Sequence, residues 1–459
     1  MAIKRIARHV LHIMSCPLEP CIAFCSCGGH SFYVRATSLT PAFYQSLIDR
    51  CWRRSGRLLY RPNQRDSCCP HYTLRLDSSQ AHISKDQRAA VNRFNKFVLG
   101  DEYIKQADRL YPRSHEESRR RKQEFDLVER IHEAETQRLQ TPPQPAHTFE
   151  VTLEPDIFTE EKYAVFENYQ RIVHQEGPSD ISRDGFQRFL CDSPLRSEIL
   201  RSEAGKERQL GSFHQCYRLD GKLVAVGVLD LLPECVSAKY FLYHESIHKY
   251  QPGKLGALHE IALAAEKGYR YWYSGFYIHT CPKMRYKIDF KPQFVLDPER
   301  YVWQPLNSET LKLFDGKGYL HLSEDGSPRP PLETVPGAED TSMVIEDSNP
   351  PDVEDGDNRG VEDVDDDAED EDEDEDESIS LLQSNMPGLP SIDILRQAPL
   401  DFIPVRLNHG VLPAGDLFQW DDEDIADAKA PKGMVADMVA AMGPELLLQW
   451  ALDFRRRDT

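Results

Sequence analysis

The sequence predicts an α/β (α+β) fold built from a basic, cysteine-containing N-terminal domain and a larger second domain, followed by a disordered acidic linker and a small helical tail. Three observations carry that expectation. Strand-like alternation and helical periodicity follow each other along residues 27–330. A chain of 459 residues exceeds what one core usually holds. The net charge of −21 is concentrated between Gly337 and Glu377, where 22 acids face one base, Arg359. The expected divisions are a divergent segment over 1–26, a first domain over 27–145, a second over 146–330, the linker over 331–385 and the tail over 386–459.

In the first domain Thr40 followed by Pro41 is an N-cap and first-turn pair, and "PAFYQSLIDRCWRR" continues in helical period until Ser55 and Gly56 stop it. "LLYRP" and "HYTLRLD" alternate as strands do. Ser84 and Gln87 form a capping box ahead of "KDQRAAVNRFNKFVLG", where Val91, Phe94, Phe97 and Val98 share a face. "RSHEESRRRKQEFDLVERIHEAETQRLQ" reads as charged, exposed helix.

The second domain opens with the strand "FEVTLEP". Thr159 caps the helix "EEKYAVFENYQRIVHQ", and a capped segment follows at "SRDGFQRFL". "FHQCYRLD" and "KLVAVGVLDLLP" are strands joined by a turn at Asp220 and Gly221, with "AKYFLYH" after them. "PGKLGALHEIALAAEKG" is a helix closed by Gly268, and "YRYWYSGFYI" is the next strand. This order is an α/β sandwich in outline, as in acyl-transfer folds that split their sheet to admit a substrate carbonyl. The tail ends in "GMVADMVAAMGPELLLQWALDF", whose spacing suits one or two short helices able to dock back onto the body.

No run of about 18 apolar residues offers a membrane-spanning helix, so a soluble protein is expected. Near the start, Arg8, His9 and His12 break any secretory core, while the absence of an acid before Glu19 leaves a mitochondrial leader open. Seven of the eleven cysteines lie in the first 69 residues. Their odd total without a secretory signal points to reduced thiols, in the cytoplasm or also the nucleus. Residues 1–122 hold 22 Lys or Arg against 10 Asp or Glu, a surplus suited to a phosphate backbone.

Cys68 and Cys69 are adjacent and ill-placed to bond each other. With a pair upstream they supply four thiolates to zinc or an iron–sulfur cluster; the alternative is small buried hydrophobes. Arg53 and Arg54, within the basic aromatic stretch "CWRRSGRLLYRP", are candidate nucleic-acid contacts, against the alternative of a solvated helix end. In "YIHTCPKMRYKIDFKP" an extended backbone points Lys283, Arg285 and Lys287 to one side, forming a carboxylate or phosphate receptor; a charge-blunted edge strand is the alternative. His214, Asp230, His259 and Glu260 are titratable residues on the same elements. No nucleophile elbow, Walker or Rossmann fingerprint is present, and no nucleotide cofactor is expected.

"SLTPAFYQSLIDRCWRRSGRLLYRP", "SCCPHYTLRLD", "DGFQRFLCDSPL", "FHQCYRLDGKLVAVGVLDLLP" and "YIHTCPKMRYK", in that order, resemble the eukaryotic arginyl-tRNA:protein transferase family. The resemblance implies an enzyme that moves arginine from its tRNA to the α-amine of proteins beginning with Asp, Glu or oxidised Cys, marking them for ubiquitin-dependent degradation. It implies a second domain similar to the acetyl-CoA N-acetyltransferase fold, and an N-terminal iron–sulfur cluster. Cys68 and Cys69 match the family's second cysteine pair; for its first the choices are Cys21, Cys25 and Cys27, whose spacing departs from it, with Cys27 directly before the matching "GGHSFY". Residues 1–26 do not resemble the family, so this stretch is expected to be divergent or wrongly assigned. On this reading His214 and His279 are candidate proton handlers, Tyr277 a candidate oxyanion donor, and Lys283, Arg285 and Lys287 the acceptor's acidic-residue pocket. The partners implied are arginyl-tRNA and acidic-N-terminus acceptors, with no membrane and a monomeric chain. The rival is a non-catalytic tRNA- or degron-binding adaptor. An acetyl-CoA enzyme is disfavoured, because Gln251, Gly253 and Gly256 lack the pyrophosphate-loop spacing.

Overall fold

The computed structural model describes residues 9–13, 31–201, 207–316, 318–322, 380–408 and 410–455. Most of the expected segment 1–26, with Cys25, and nearly all of the linker 331–385 lie outside the described residues, as does Cys27.

The strands are β1 (His9–Ile13), β2 (Ser31–Ser38), β3 (Arg53–Ser55), β4 (Leu58–Pro62), β5 (Tyr72–Asp77), β6 (Phe149–Pro155), β7 (Glu198–Arg201), β8 (Glu207–Leu219), β9 (Lys222–Leu231), β10 (Cys235–Tyr243), β11 (Tyr271–Tyr277), β12 (Phe294–Leu296), β13 (Trp303–Pro305), β14 (Pro404–Leu407), β15 (Gly410–Pro413) and β16 (Trp450–Asp453). The helices are α1 (Pro41–Ile48), α2 (Lys85–Leu99), α3 (Asp101–Leu110), α4 (His115–Gln123), α5 (Leu127–Ile131), α6 (Glu160–Tyr169), α7 (Arg183–Phe186), α8 (Pro252–Lys267), α9 (Ser308–Gly316), α10 (Ile392–Gln397) and α11 (Pro431–Met442).

The larger sheet runs β13-β12-β5-β11-β10-β9-β8-β6, with β7 paired to β8. Alternation along β9 decides its two faces. Ala225, Leu229 and Leu231 pack with Leu258 and Ile261 of α8, whereas Val226 and Val228 pack with Phe166 of α6 and Phe186 of α7. Helices therefore cover both faces, as the sandwich outline requires.

The smaller sheet runs β15-β14-β16-β1-β2-β4-β3. The tail is structural here: β16 pairs in parallel with both β1 and β14. Its helix α11 shares a core with α1 and Trp52, and the Trp52 indole N–H donates to the Ala441 carbonyl at 3.0 Å. Strands β14 and β16 were absent from the sequence expectation; β16 finds one partner, β1, at the other end of the chain, and β14 joins the sheet through β16.

Two further expectations change. The helix from Pro41 was expected to run through Arg54 but ends at Ile48; Cys51 takes a left-handed φ of 66°, and Arg53–Ser55 turns at Gly56 to pair with β4. The boundary at 145/146 does not divide the fold, since β5 lies inside the larger sheet and α2 packs in the core of α8. Local readings hold elsewhere. The Ser84–Gln87 capping box forms, and Thr40 and Thr159 accept from the third residue of their helices.

Candidate active site

Strands β10 and β11 run parallel but pair only at Cys235↔Tyr271, Val236↔Trp272 and Ser237↔Tyr273. Beyond that they part, and each carries an irregularity where the fork opens: between Ala238 and Tyr240 on β10, and between Tyr273 and Phe276 on β11. Gly275, at φ +78°, holds the β11 side in a conformation that side chains disfavour.

Lys287 reaches into this fork. Its ammonium donates to the Phe276 carbonyl at 2.6 Å, and a Cβ at Gly275 would lie 3.6 Å from Nζ and 3.5 Å from the Ala238 carbonyl oxygen. Burial, with the Arg53 charge nearby, pushes Lys287 down to about 8. On the α8 side, burial pushes Glu260 up to about 7, opposed by the Trp272 N–H donated to it at 2.8 Å and by the Lys287 charge. Lys239, at the β10 irregularity, donates to the Phe189 carbonyl at 2.8 Å; burial and the Arg54 charge push it down to about 7. The fork thus holds amines and a carboxyl poised near neutrality, the condition acid–base catalysis needs.

The sequence candidates fall differently. Pro282–Asp289 is a 3₁₀ helix, so Lys283, Arg285 and Lys287 do not line up as on a strand; Lys283 and Arg285 are exposed while Lys287 turns inward. His214 is fully buried, with Nε2 at 3.1 Å from the Leu190 carbonyl, and burial pushes it down to about 4. It is a neutral core histidine with no access to a substrate proton. Tyr277 is also fully buried, and its hydroxyl is 2.7 Å from His279 Nδ1, which leaves it no route to a substrate oxyanion. His279 stacks on Phe314 and places Nε2 2.8 Å from Asp315, a residue the sequence reading missed because it follows 36 positions later in α9. Arg53 and Arg54, expected on an exposed helix end, are buried on β3. Arg54 makes a two-pronged ion pair with Asp230 at 2.8 and 2.5 Å; Arg53 places its guanidinium 5.0 Å over the Phe276 ring.

Cys68 and Cys69 project together, with Sγ atoms 3.3 Å apart. His132, Glu135 and His259 also bring donor atoms within 4.8 Å of one another. Hydrogen bonds already account for His132: against the lowering effect of burial, Glu135 and Glu266 raise it to about 9. Among the described residues no helix is long and apolar enough to cross a membrane.

Two family models, described as the N terminus and the C terminus of arginine-tRNA-protein transferase, match residues 21–89 and 161–297. Over these two stretches the chain is similar to arginine-tRNA-protein transferases. Arginyl-tRNA--protein transferase 1 of Saccharomyces cerevisiae is 31% identical over 299 residues, covering 62% of this chain and 54% of that protein. Its Drosophila melanogaster counterpart is 42% identical over 174 residues, covering 37% and 35%. The aspartate/glutamate leucyltransferase of Stutzerimonas stutzeri is 32% identical over 146 residues, covering 32% and 56%. The chain therefore spans about half or less of the length of these relatives. Within the family matches lie Cys25, Cys27, Arg53, Cys68 and Cys69 in the first, and Lys239, Glu260, Gly275 and Lys287 in the second; Asp315 falls beyond them.

Proposed function

We propose that this chain transfers arginine from arginyl-tRNA to the α-amine of proteins whose first residue is Asp, Glu or oxidised Cys, so marking them for ubiquitin-dependent degradation. The observation that carries the reading is the fork between β10 and β11, three residue pairs long at its closed end, with Lys287 at its centre. The aspartate/glutamate specificity named for the Stutzerimonas relative supports acidic acceptors.

The ester of aminoacyl-tRNA is already activated, so positioning the amine against the carbonyl supplies most of the acceleration. The acceptor α-ammonium titrates at about 7.7 to 8. Lys287, depressed to about 8, is matched to it and takes the proton that leaves as the amine attacks. His279, half-buried and oriented by Asp315, is the second proton handler. Backbone N–H groups freed where β10 and β11 separate stabilise the oxyanion, and the proton passes on to the departing ribose hydroxyl. Exposed Lys105, Arg109, Arg119 and Lys122 on α3 and α4 replace Arg53 and Arg54 as contacts to tRNA phosphates. Lys283 and Arg285 are exposed cations available to the same polyanion. Cys68 and Cys69, with Cys25 and Cys27, are proposed as ligands of an iron–sulfur cluster or zinc; two thiols 3.3 Å apart on one loop suit a shared metal centre.

The test is transfer of labelled arginine from charged tRNA to two peptides differing only in Asp or Asn at the first residue. Incorporation into the Asp peptide alone is expected. Retained tRNA binding with incorporation into neither would favour a non-catalytic adaptor.

A further inference from the structure

Arg53 poses an electrostatic problem. It is 6% exposed, and its Nη1 donates to the Trp52 carbonyl at 2.8 Å and the Ile48 carbonyl at 3.4 Å. Its Nε and Nη2 have no hydrogen-bond partner, and among the described residues it has no ion pair. The Asp49 carboxyl acts on it electrostatically, but accepts its hydrogen bond from the Tyr273 hydroxyl. Buried guanidinium nitrogens without partners are costly, and such groups are normally bonded or hold a ligand.

The surroundings show what is missing. The Phe276 ring lies beneath the guanidinium at 5.0 Å, and the His71 ring meets the same phenyl edge-on at 5.4 Å. Thr73 stands opposite Phe276 across β5 and β11. Thr73 Oγ1, His71 Nδ1, Gln64 Oε1 and Ser274 Oγ are all buried without partners. Gln64 binds the His71 carbonyl through its amide nitrogen at 3.2 Å. Tyr60, His71 and Lys287, which meet Phe276, and the adjoining Gly275 are each partly exposed to solvent.

We propose that Arg53, backed by Phe276 and flanked by His71 and Thr73, is the receptor for the carboxylate of the acceptor's first side chain. This inference rests on the transfer reading above and moves the acid-reading role from Lys283, Arg285 and Lys287 to a residue on the opposite sheet. The planar guanidinium presents its two unused N–H positions to a carboxylate in a fork, and the Thr73 hydroxyl donates a further hydrogen bond. An amide in place of the acid leaves the cation unpaired, so Asn and Gln are rejected. Lys287 stands next to this pocket through Phe276, which sets the α-amine beside the group that receives its proton.

Direct binding tests the pocket separately from catalysis. Fluorescent peptides beginning with Asp or Asn are titrated into the full chain and into Arg53→Gln, with arginine transfer measured in parallel. The expected result is a preference for Asp in the wild type of about 10- to 150-fold that disappears in R53Q, while affinity for arginyl-tRNA is unchanged. A folded R53Q that keeps the preference overturns the proposal, as does a wild type that binds both peptides equally. If R53Q loses its unfolding transition, Arg53→Lys carries the test: it keeps charge and stem but loses the fork, so Asp-peptide affinity must fall. Unchanged affinity in R53K overturns the proposal. A wild type that prefers the Asp peptide but transfers no arginine would refute the catalytic reading and leave the pocket standing.

Discussion

Replacing Asp230 with alanine gives the sharpest check on how the two sheets are joined. Arg54 Nε and Nη2 bond the two Asp230 oxygens at 2.8 and 2.5 Å, Nη2 also bonds Ser212 Oγ at 2.8 Å, and Nη1 bonds the Gly56 carbonyl at 3.0 Å. The paired side chains are only 1% and 2% exposed. Removing the carboxylate strands a guanidinium in a dry interior, at a cost of about 3–5 kcal/mol. Removing both charges, as in Arg54→Met with Asp230→Leu, restores most of that loss, because the mutual desolvation penalty also disappears. Urea unfolding of the wild type, both single variants and the double variant closes the cycle. The salt dependence of tRNA affinity is measured on the same proteins. Each phosphate contact contributes about 0.9 to the log–log slope, and Arg54 contributes none if it serves only to tie β3 to β9. An R54M variant that keeps its unfolding midpoint and lowers the slope by about one would refute the argument.

Other outcomes follow from the same geometry. Because both Lys287 and the acceptor α-amine must be neutral, kcat/KM rises with pH through about 8 with a slope above one, and Lys287→Met leaves only the amine's slope of one; a pH–rate profile unchanged in K287M assigns the proton elsewhere. His214 titrates at about 4 in the fold against about 6.5 unfolded, so the unfolded chain binds the extra proton and stability falls on acidification. Between pH 7 and 5 the loss is about 2 kcal/mol, and His214→Gln, which keeps an N–H for the Leu190 carbonyl, flattens it; an equally steep curve in H214Q speaks against the assignment. Deleting residues 380–459 strips β14, β16 and α11 from the smaller sheet and uncovers Leu47, Trp52 and Leu59; calorimetry then shows no cooperative transition for that region, whereas an unaltered melt would mean the tail is dispensable.

Signals confined to a few neighbouring residues were readable. The Thr40, Ser84 and Thr159 caps, the Asp220–Gly221 turn and the Gly268 stop each fix a local backbone geometry, and each appears where the residues place it. The succession β6, β8, β9, β10, α8 and β11 along the chain followed from the same kind of information; the place of β5 in that sheet, and β12 and β13, did not. Long-range partners did not. Strands β14 and β16 are short, four residues each; β16 adds to β1 from the other end of the chain, and β14 pairs with β16 and β15. Lys283, Arg285 and Lys287 have a period-two spacing that implies a strand, yet Pro282 opens a 3₁₀ helix there, and the spacing then carries no common direction.

The two neighbouring arginines on β3 show most clearly what a sequence withholds. Adjacent residues on a strand point to opposite faces, so Arg53 and Arg54 meet different environments although nothing in "CWRRSGRLLYRP" separates them. Both are buried, which a phosphate-binding surface would not allow. Arg54 finds the Asp230 carboxylate and Ser212, and its charge is satisfied within the fold. Arg53 finds an aromatic ring and two backbone carbonyls, and its Nε and Nη2 are left without a hydrogen-bond partner. A cation–π contact is worth about 0.5–2 kcal/mol, well short of the several kcal/mol that desolvating a guanidinium costs. The fold tolerates that deficit at one arginine and corrects it at the next. The difference is removed when a carboxylate arrives from outside, and the acceptor's acidic first residue is the group that brings one to this side of the fork.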